Sequence, residues 1–263
     1  MERVLLTGLP RSGSTLLCGL LNQNPAISIC EASSLLPLLN NVREFWSIHV
    51  KNKMINKQNK LLPILKAIFN AYVTKDCDIA IDKDREWLFF IDLVEKIKGS
   101  PIKIICTVRN PVECAASFER LYENDPFAYN QLEELIAPEG YTVANRARSF
   151  LTHSGCIGKA YNAIQEASII QGKKDQMLFI DYHKLCKNPS KQLERIYTFL
   201  GSGIYSEHIF DNVKNAQAHN DVHCQFAKTH DIEAVVRRGN RDLGKLNMIA
   251  NEFYFEEFWS SWT

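Results

Sequence analysis

Charge of one sign is scarce in this chain: 31 lysines and arginines stand against 30 aspartates and glutamates, a formal net charge of +1. Such a balance gives no global field to draw nucleic acid or an anionic membrane, so any basic site has to be local. Long hydrophobic runs are missing too. No apolar stretch approaches the roughly 20 residues that span a bilayer, so no membrane partner is expected. The N-terminus enters an apolar run at once, without the charged, apolar and cleavage regions of a signal peptide, so none is expected. Eight cysteines (18, 30, 77, 106, 114, 156, 186, 224) include no C-x-x-C pair. Cys18, Cys30 and Cys106 sit in apolar segments, where a free thiol is an ordinary small core residue. A reducing, cytoplasmic compartment is expected.

The 263 residues, 46% of them apolar, suffice for one large core. Five short apolar runs read as buried strands: Val4–Leu6, Ala26–Cys30, Ile79–Ile81, Ile102–Val108 and Met177–Ile180. Helical patterns separate them, around 14–22, 33–48, 58–73, 86–98, 110–122 and 142–170. Strands alternating with helices predict an α/β fold, a P-loop-type central parallel sheet with helices on both faces. Ligands of such sheets bind at the carboxyl ends of the strands. The polar segments 123–140 and 211–231 read as irregular excursions without repeats, so a single domain over 1–263 is expected.

Gly8-Leu9-Pro10-Arg11-Ser12-Gly13-Ser14-Thr15 follows the first strand and precedes Leu16, Leu17, Leu20 and Leu21, spaced like one helix face. Strand, glycine loop and helix start are the context in which backbone N–H groups cradle a phosphate-like anion. The spacing is that of G-x-x-x-x-G-K-[ST], with one departure: Ser14 stands where the nucleotide-binding lysine belongs. Arg11 supplies positive charge from within the loop, and its fork suits a tetrahedral oxyanion. No strand clearly ends in a Mg²⁺-binding aspartate, which argues against an NTPase.

A second motif, Val108-Arg109-Asn110-Pro111, ends a strand, with Pro111 suited to the first turn of a helix. Ser117 falls about two turns into that helix. Arg109 is placed for a second anionic group; taken alone, a strand-end arginine more often forms a structural salt bridge.

Together these residues resemble sulfotransferases that use 3′-phosphoadenosine 5′-phosphosulfate (PAPS). Residues Arg11, Ser12, Gly13, Ser14 and Thr15 match the family's loop for the 5′-phosphosulfate, and Arg109 and Ser117 its 3′-phosphate pair. Tyr182-His183-Lys184-Leu185 resembles the Tyr-Glu-Asp-Leu segment whose tyrosine lies near the adenosine. The branches most similar are the bacterial and tyrosylprotein sulfotransferases. Ile79-Ala80-Ile81-Asp82-Lys83 is similar to their strand ending in a catalytic lysine, with Arg85 and Trp87 as in a bacterial variant. Arg237 falls where a C-terminal basic residue closes over the cofactor.

The resemblance implies in-line transfer of a sulfuryl group to an acceptor hydroxyl or amine, releasing adenosine 3′,5′-bisphosphate (PAP). Groups that bind the developing charge of the leaving phosphate lower the barrier. Lys83 and Arg11 are the candidates, and no metal is expected. Glu31 is the candidate base, although the tyrosylprotein branch uses the following position, which is Ala32 here. His49, His153 and His230 are reserves. His219, His223 and His230 lack the H-E-x-x-H pattern of a metal site. The acceptor, a small molecule or a peptide, is not specified, although residues 43–75 fall where the family shapes that site. Two alternatives stay open, a P-loop nucleotide kinase and a non-catalytic protein that binds adenosine bisphosphate. The aromatic C-terminus (Phe253, Tyr254, Phe255, Phe258, Trp259, Trp262) reads as an acceptor wall, a homodimer patch or, preferred, a terminal helix packed on the core.

Overall fold

The computed structural model describes residues 1–49, 58–73, 76–124, 142–211, 213, 253 and 255–263. Five strands, β1 (Glu2–Gly8), β2 (Ile27–Cys30), β3 (Ile79–Lys83), β4 (Lys103–Val108) and β5 (Met177–Asp181), pair in parallel in the order β2-β3-β1-β4-β5. Their near-continuous apolar sequences suit a sheet covered on both faces. Alternation along each strand divides the core in two. Val4, Leu6, Ile79, Ile81, Ile105 and Ile180 face one helical layer: α1 (Ser14–Leu21) with the two last helices, introduced below. Leu5, Ile104, Cys106, Val108 and Phe179 face the other. That layer comprises α2 (Leu35–Ile48), α3 (Gln58–Ala71), α4 (Ile91–Lys98), α5 (Pro111–Asn124), α6 (Val143–Leu151) and α7 (Cys156–Gln165).

The predicted strands and most of the predicted helices are present. The pattern 142–170 is not one helix, because it breaks at Thr152, whose hydroxyl accepts the Gly155 N–H at 3.2 Å. Local hydroxyl bonding competes with helix propagation while the apolar spacing continues in phase. Beyond α7 the chain widens into a π turn over Glu166–Ile170. The predicted helix over 86–98 begins as a 3₁₀ turn, Arg85–Phe90, capped by the Asp84 side chain on the Glu86 N–H. After β5 come α8 (Tyr182–Lys187), capped by Asp181, and α9 (Pro189–Leu200), capped by Asn188 with proline at its first position.

The aromatic C-terminus packs on the core as preferred, but as turns rather than as a helix. Trp259 is fully buried, and Phe255, Phe258 and Trp259 surround the Tyr161 ring at 4.9–5.9 Å. The Tyr161 hydroxyl donates to the Glu256 carbonyl at 2.9 Å and accepts its N–H at 3.0 Å, so side-chain bonding replaces a helical ladder. Seven cysteines among the described residues are free, and Cys18, Cys106, Cys114 and Cys186 are buried. Burial pushes the thiols of Cys18 and Cys114 up to about 12, which makes them inert core groups. No helix among the described residues is long and apolar enough to cross a membrane.

Candidate active site

The glycine loop emerges from the central strand of the sheet. Gly8 opens it at φ 143°, where a Cβ would stand 2.1 Å from the Thr107 carbonyl oxygen on β4. The Ser12 side chain turns inward, its hydroxyl within 2.7 Å of the Thr107 hydroxyl and 3.0 Å of the Thr107 carbonyl. That hydroxyl is a peg fastening the loop to β4, so the expected phosphate contact of Ser12 is left to its backbone N–H. Arg11 has φ 62°. A left-handed conformation costs a non-glycine residue roughly 1–2 kcal/mol and is kept only where the surroundings enforce it. Gly13, at φ 88°, then hands the chain to α1, whose first-turn N–H groups have no acceptor within the helix. Loop and helix start together present a field suited to an anion.

Cationic side chains flank this loop on both sides. Lys83 shares its sheet face with Ile79 and Ile81, so it points toward α1. Its Nζ donates to the Thr15 hydroxyl at 3.1 Å and lies 3.6 Å from Glu31 Oε1. The Lys83 and Glu31 side chains are only 19% and 10% exposed, so each charge depends on the other. On the opposite side, Arg11 Nε donates to the Ser117 hydroxyl at 3.2 Å. Arg109 Nη1 donates to the Arg11 carbonyl at 3.2 Å, and Nε to Glu113 Oε2 at 2.9 Å. The Arg109 guanidinium also covers the Tyr182 ring at 4.2 Å. The same ring closes on Gly13, where a Cβ would meet Cδ2 at 2.7 Å. Tyr182 thus touches both the loop and Arg109, and its burial pushes the phenol up to about 12.

Among the sequence-predicted residues, Arg11, Ser12, Gly13, Ser14, Thr15, Glu31, Lys83, Arg109, Ser117 and Tyr182 gather at the carboxyl edge of the sheet. Arg237, with His219, His223 and His230, lies outside the described residues. His49 packs on Phe45 and His153 pairs with Asn162 at 2.8 Å; neither bonds to the loop. A cavity of about 420 Å³ beside α7 is lined by His153, Tyr161, Asn162, Phe253 and Phe255 among others, and shares no residue with the loop.

Asp82 was singled out by no motif role of its own. It points away from Lys83 and is buried, accepting from Ser33 Oγ at 2.7 Å and Trp87 Nε1 at 2.9 Å. Through Ser33 it anchors the segment that follows Glu31. Burial pushes its carboxyl up to about 6, with the two hydrogen bonds opposing. The folded protein therefore holds this proton more tightly than the unfolded chain, whose value is 3.8. Stability is expected to fall as pH rises through the window from about 4 to about 6, by at most about 3 kcal/mol, and to level off above it. Denaturant titrations of wild type and Asp82→Asn near both ends of that window check this. The variant should lose the slope that Asp82 contributes, and parallel curves would assign the slope to other groups.

A parallel α/β protein that gathers arginines, a lysine and a helix N-terminus at one strand edge is built to handle anionic groups. The comparisons with known proteins narrow that class. A family model described as the sulfotransferase domain matches residues 1–245, and the chain belongs to that family. The family's chemistry is sulfuryl transfer, which makes this chain a transferase. Among solved structures, the sulfotransferase domain from the curacin biosynthetic pathway is 17% identical, with a TM-score of 0.57 over 97% of this chain and 99% of that one. The mouse sulfotransferase SULT7A1, described as complexed with PAP, is 21% identical, with a TM-score of 0.53 over 95% of this chain and 82% of that one. The sulfotransferase domain of the Synechococcus PCC 7002 olefin synthase is 20% identical, with a TM-score of 0.50 over 97% and 94%. At these identities the likeness is one of fold.

Proposed function

We propose that this chain, acting as a single domain, transfers a sulfuryl group from PAPS to the hydroxyl or amine of a small-molecule or peptide acceptor. The observation that carries the reading is the placement of two cationic groups of residues on either side of one anion-cradling loop. The donor set fits a molecule with two separate anionic groups. Arg11, the first-turn N–H groups of α1, and Lys83 would hold the 5′-phosphosulfate. Arg109 and Ser117 would hold the 3′-phosphate, since Arg109 commits Nε and Nη1 to protein partners and leaves its Nη2 edge for a ligand. The mouse relative solved with PAP supports the same choice.

PAPS supplies the sulfuryl group and a phosphate leaving group; the chain supplies the charge and the proton acceptor. Lys83, held between Thr15 and Glu31, sits at the helix N-terminus where negative charge accumulates during transfer. Stronger binding of that charge in the transition state than in the ground state is what lowers the barrier. Glu31 accepts the acceptor's proton in this scheme, as the carboxylate nearest the lysine. Its present pairing with Lys83 holds it at the strand edge until the donor draws the lysine toward phosphate.

Titration calorimetry with PAP and with Mg²⁺–ATP tests the reading. PAP is expected to bind, with an affinity that weakens as salt is added because both sites are ionic. Metal-dependent ATP binding without PAP binding would overturn it in favour of a nucleotide kinase. PAP binding with no transfer from PAPS to a panel of phenols, alcohols and amines would favour a binding protein without activity.

A further inference from the structure

We infer that His183 is a positioning residue for Arg109: through the shared carboxylate of Glu113 it sets how strongly that arginine binds a 3′-phosphate. The inference rests on Arg109 and Ser117 forming the 3′-phosphate site. His183 stands where the similar segment of the family has glutamate, so the arrangement follows from this chain's own residues.

Three elements meet here. Glu113 lies four residues beyond Arg109, in the first turn of α5, and its Oε2 accepts from Arg109 Nε at 2.9 Å. The same oxygen lies 2.6 Å from His183 Nε2, in the first turn of α8. An ionised carboxylate only accepts, so Nε2 carries a proton in this contact. Arg109 is also fixed by the Arg11 carbonyl and the Tyr182 ring. Its remaining edge is therefore aimed by a frame whose outermost member is a half-exposed histidine.

Charge makes the frame adjustable. The groups facing His183 are Glu113 from α5, Arg109 from the end of β4, and Asp181 from the end of β5. Lys184 follows it in the chain, and its backbone N–H is capped by Asp181. With His183 neutral, Glu113 cancels the charge of Arg109. With the imidazolium present, Glu113 is shared between two cations and the cluster offers a net positive charge to the phosphate. The hydrogen bond to Glu113 lifts the His183 pKa above 6.5, with partial burial opposing. Burial alone would raise the Glu113 pKa, but its bonds from His183 and Arg109 outweigh that and hold it low. Near neutral pH, His183 is thus the member whose charge changes. Its contribution is present below its raised pKa and lost as pH rises through it.

The phosphate of PAP itself titrates near pH 6, so a pH profile of wild type alone does not isolate the histidine. His183→Gln keeps a donor to Glu113 without the charge. Calorimetric Kd values for PAP are to be compared between wild type and His183→Gln from about pH 6 to about pH 8.5. The wild-type advantage is expected to be about fivefold at the acid end and to vanish at the alkaline end. In turnover, KM for PAPS should follow the same difference while kcat at saturation stays unchanged. An NMR titration of His183 should show its pKa rising when PAP binds, as reciprocal linkage requires. Parallel pH profiles for the two proteins would overturn the inference, provided Arg109→Ala weakens PAP binding. Equal PAP affinity in Arg109→Ala and wild type would instead overturn the 3′-phosphate reading on which it rests.

Discussion

Lys83→Ala is expected to lower sulfuryl transfer about a hundred- to a thousandfold, the scale seen when one preorganised electrostatic donor is removed from a transition state. Affinity for PAP needs separate treatment. Lys83 lies 3.6 Å from Glu31, so deleting the lysine takes one cation away from a nearly buried carboxylate beside the glycine loop. The net negative charge gained there repels the ligand and costs stability on its own account. The single variant therefore confounds two effects, and Lys83→Ala/Glu31→Gln separates them. The double variant should recover most of the PAP affinity and thermal stability while transfer stays down. Single-turnover rates and calorimetry on wild type, both single variants and the double variant make the comparison, with Glu31→Gln reporting the loss of the base alone. A double variant no slower than Glu31→Gln alone would show that Lys83 only neutralises Glu31 and takes no part in transfer.

Arg109→Ala is expected to weaken PAP about a hundredfold, as lost charge-assisted contacts to a doubly charged phosphate require. The change also leaves Glu113 without its bond from Arg109, removes the cation from the face of Tyr182 and deletes a donor to the Arg11 carbonyl. Arg109→Lys keeps the charge but cannot reproduce the fork that engages Glu113, Arg11 and a ligand at once. It should restore only part of the affinity. Adenosine 5′-phosphate, which lacks the 3′-phosphate, should bind wild type and both variants alike. If its affinity fell as much as that of PAP, Arg109 would be acting on the loop rather than on the 3′-phosphate.

Much of the fold was legible in the sequence because a parallel sheet covered on both faces writes itself as short, wholly apolar runs. The runs around Leu5, Ile81, Ile105 and Phe179 carried no competing reading. The helix over 142–170 was misread as continuous because its apolar spacing stays in phase across the Thr152 break. The short helix at Tyr182 was not distinguished as a helix, being only six residues long. The C-terminal aromatics were correctly placed on the core. Their turn geometry was not legible, since it depends on the Tyr161 hydroxyl nearly a hundred residues earlier.

The site divides in the same way. Gly8, Gly13, Arg11, Arg109 and Ser117 stand at spacings that a strand, a tight loop and a helix impose. The contacts between them were not readable, because each joins segments brought together only by the sheet. Ser12 counted as a phosphate ligand from its position, yet its hydroxyl is spent on Thr107. The pairing of Glu113 with Arg109 had a sequence signal in its four-residue helical spacing. Its partner His183, seventy residues on, had none.

The fastening of Ser12 to Thr107 has a geometric consequence. Thr107 is two residues before Arg109 on the strand that neighbours β1, and Arg109 in turn grips the Arg11 carbonyl. The loop and the arginine therefore cannot drift apart without breaking a strand ladder. Their separation is set by adjacent strands, whose spacing is about 4.8 Å in any sheet. Between the two cationic groups the molecule carries a fixed gauge. Under the proposed function, that gauge would select a nucleotide by the distance between its charged ends.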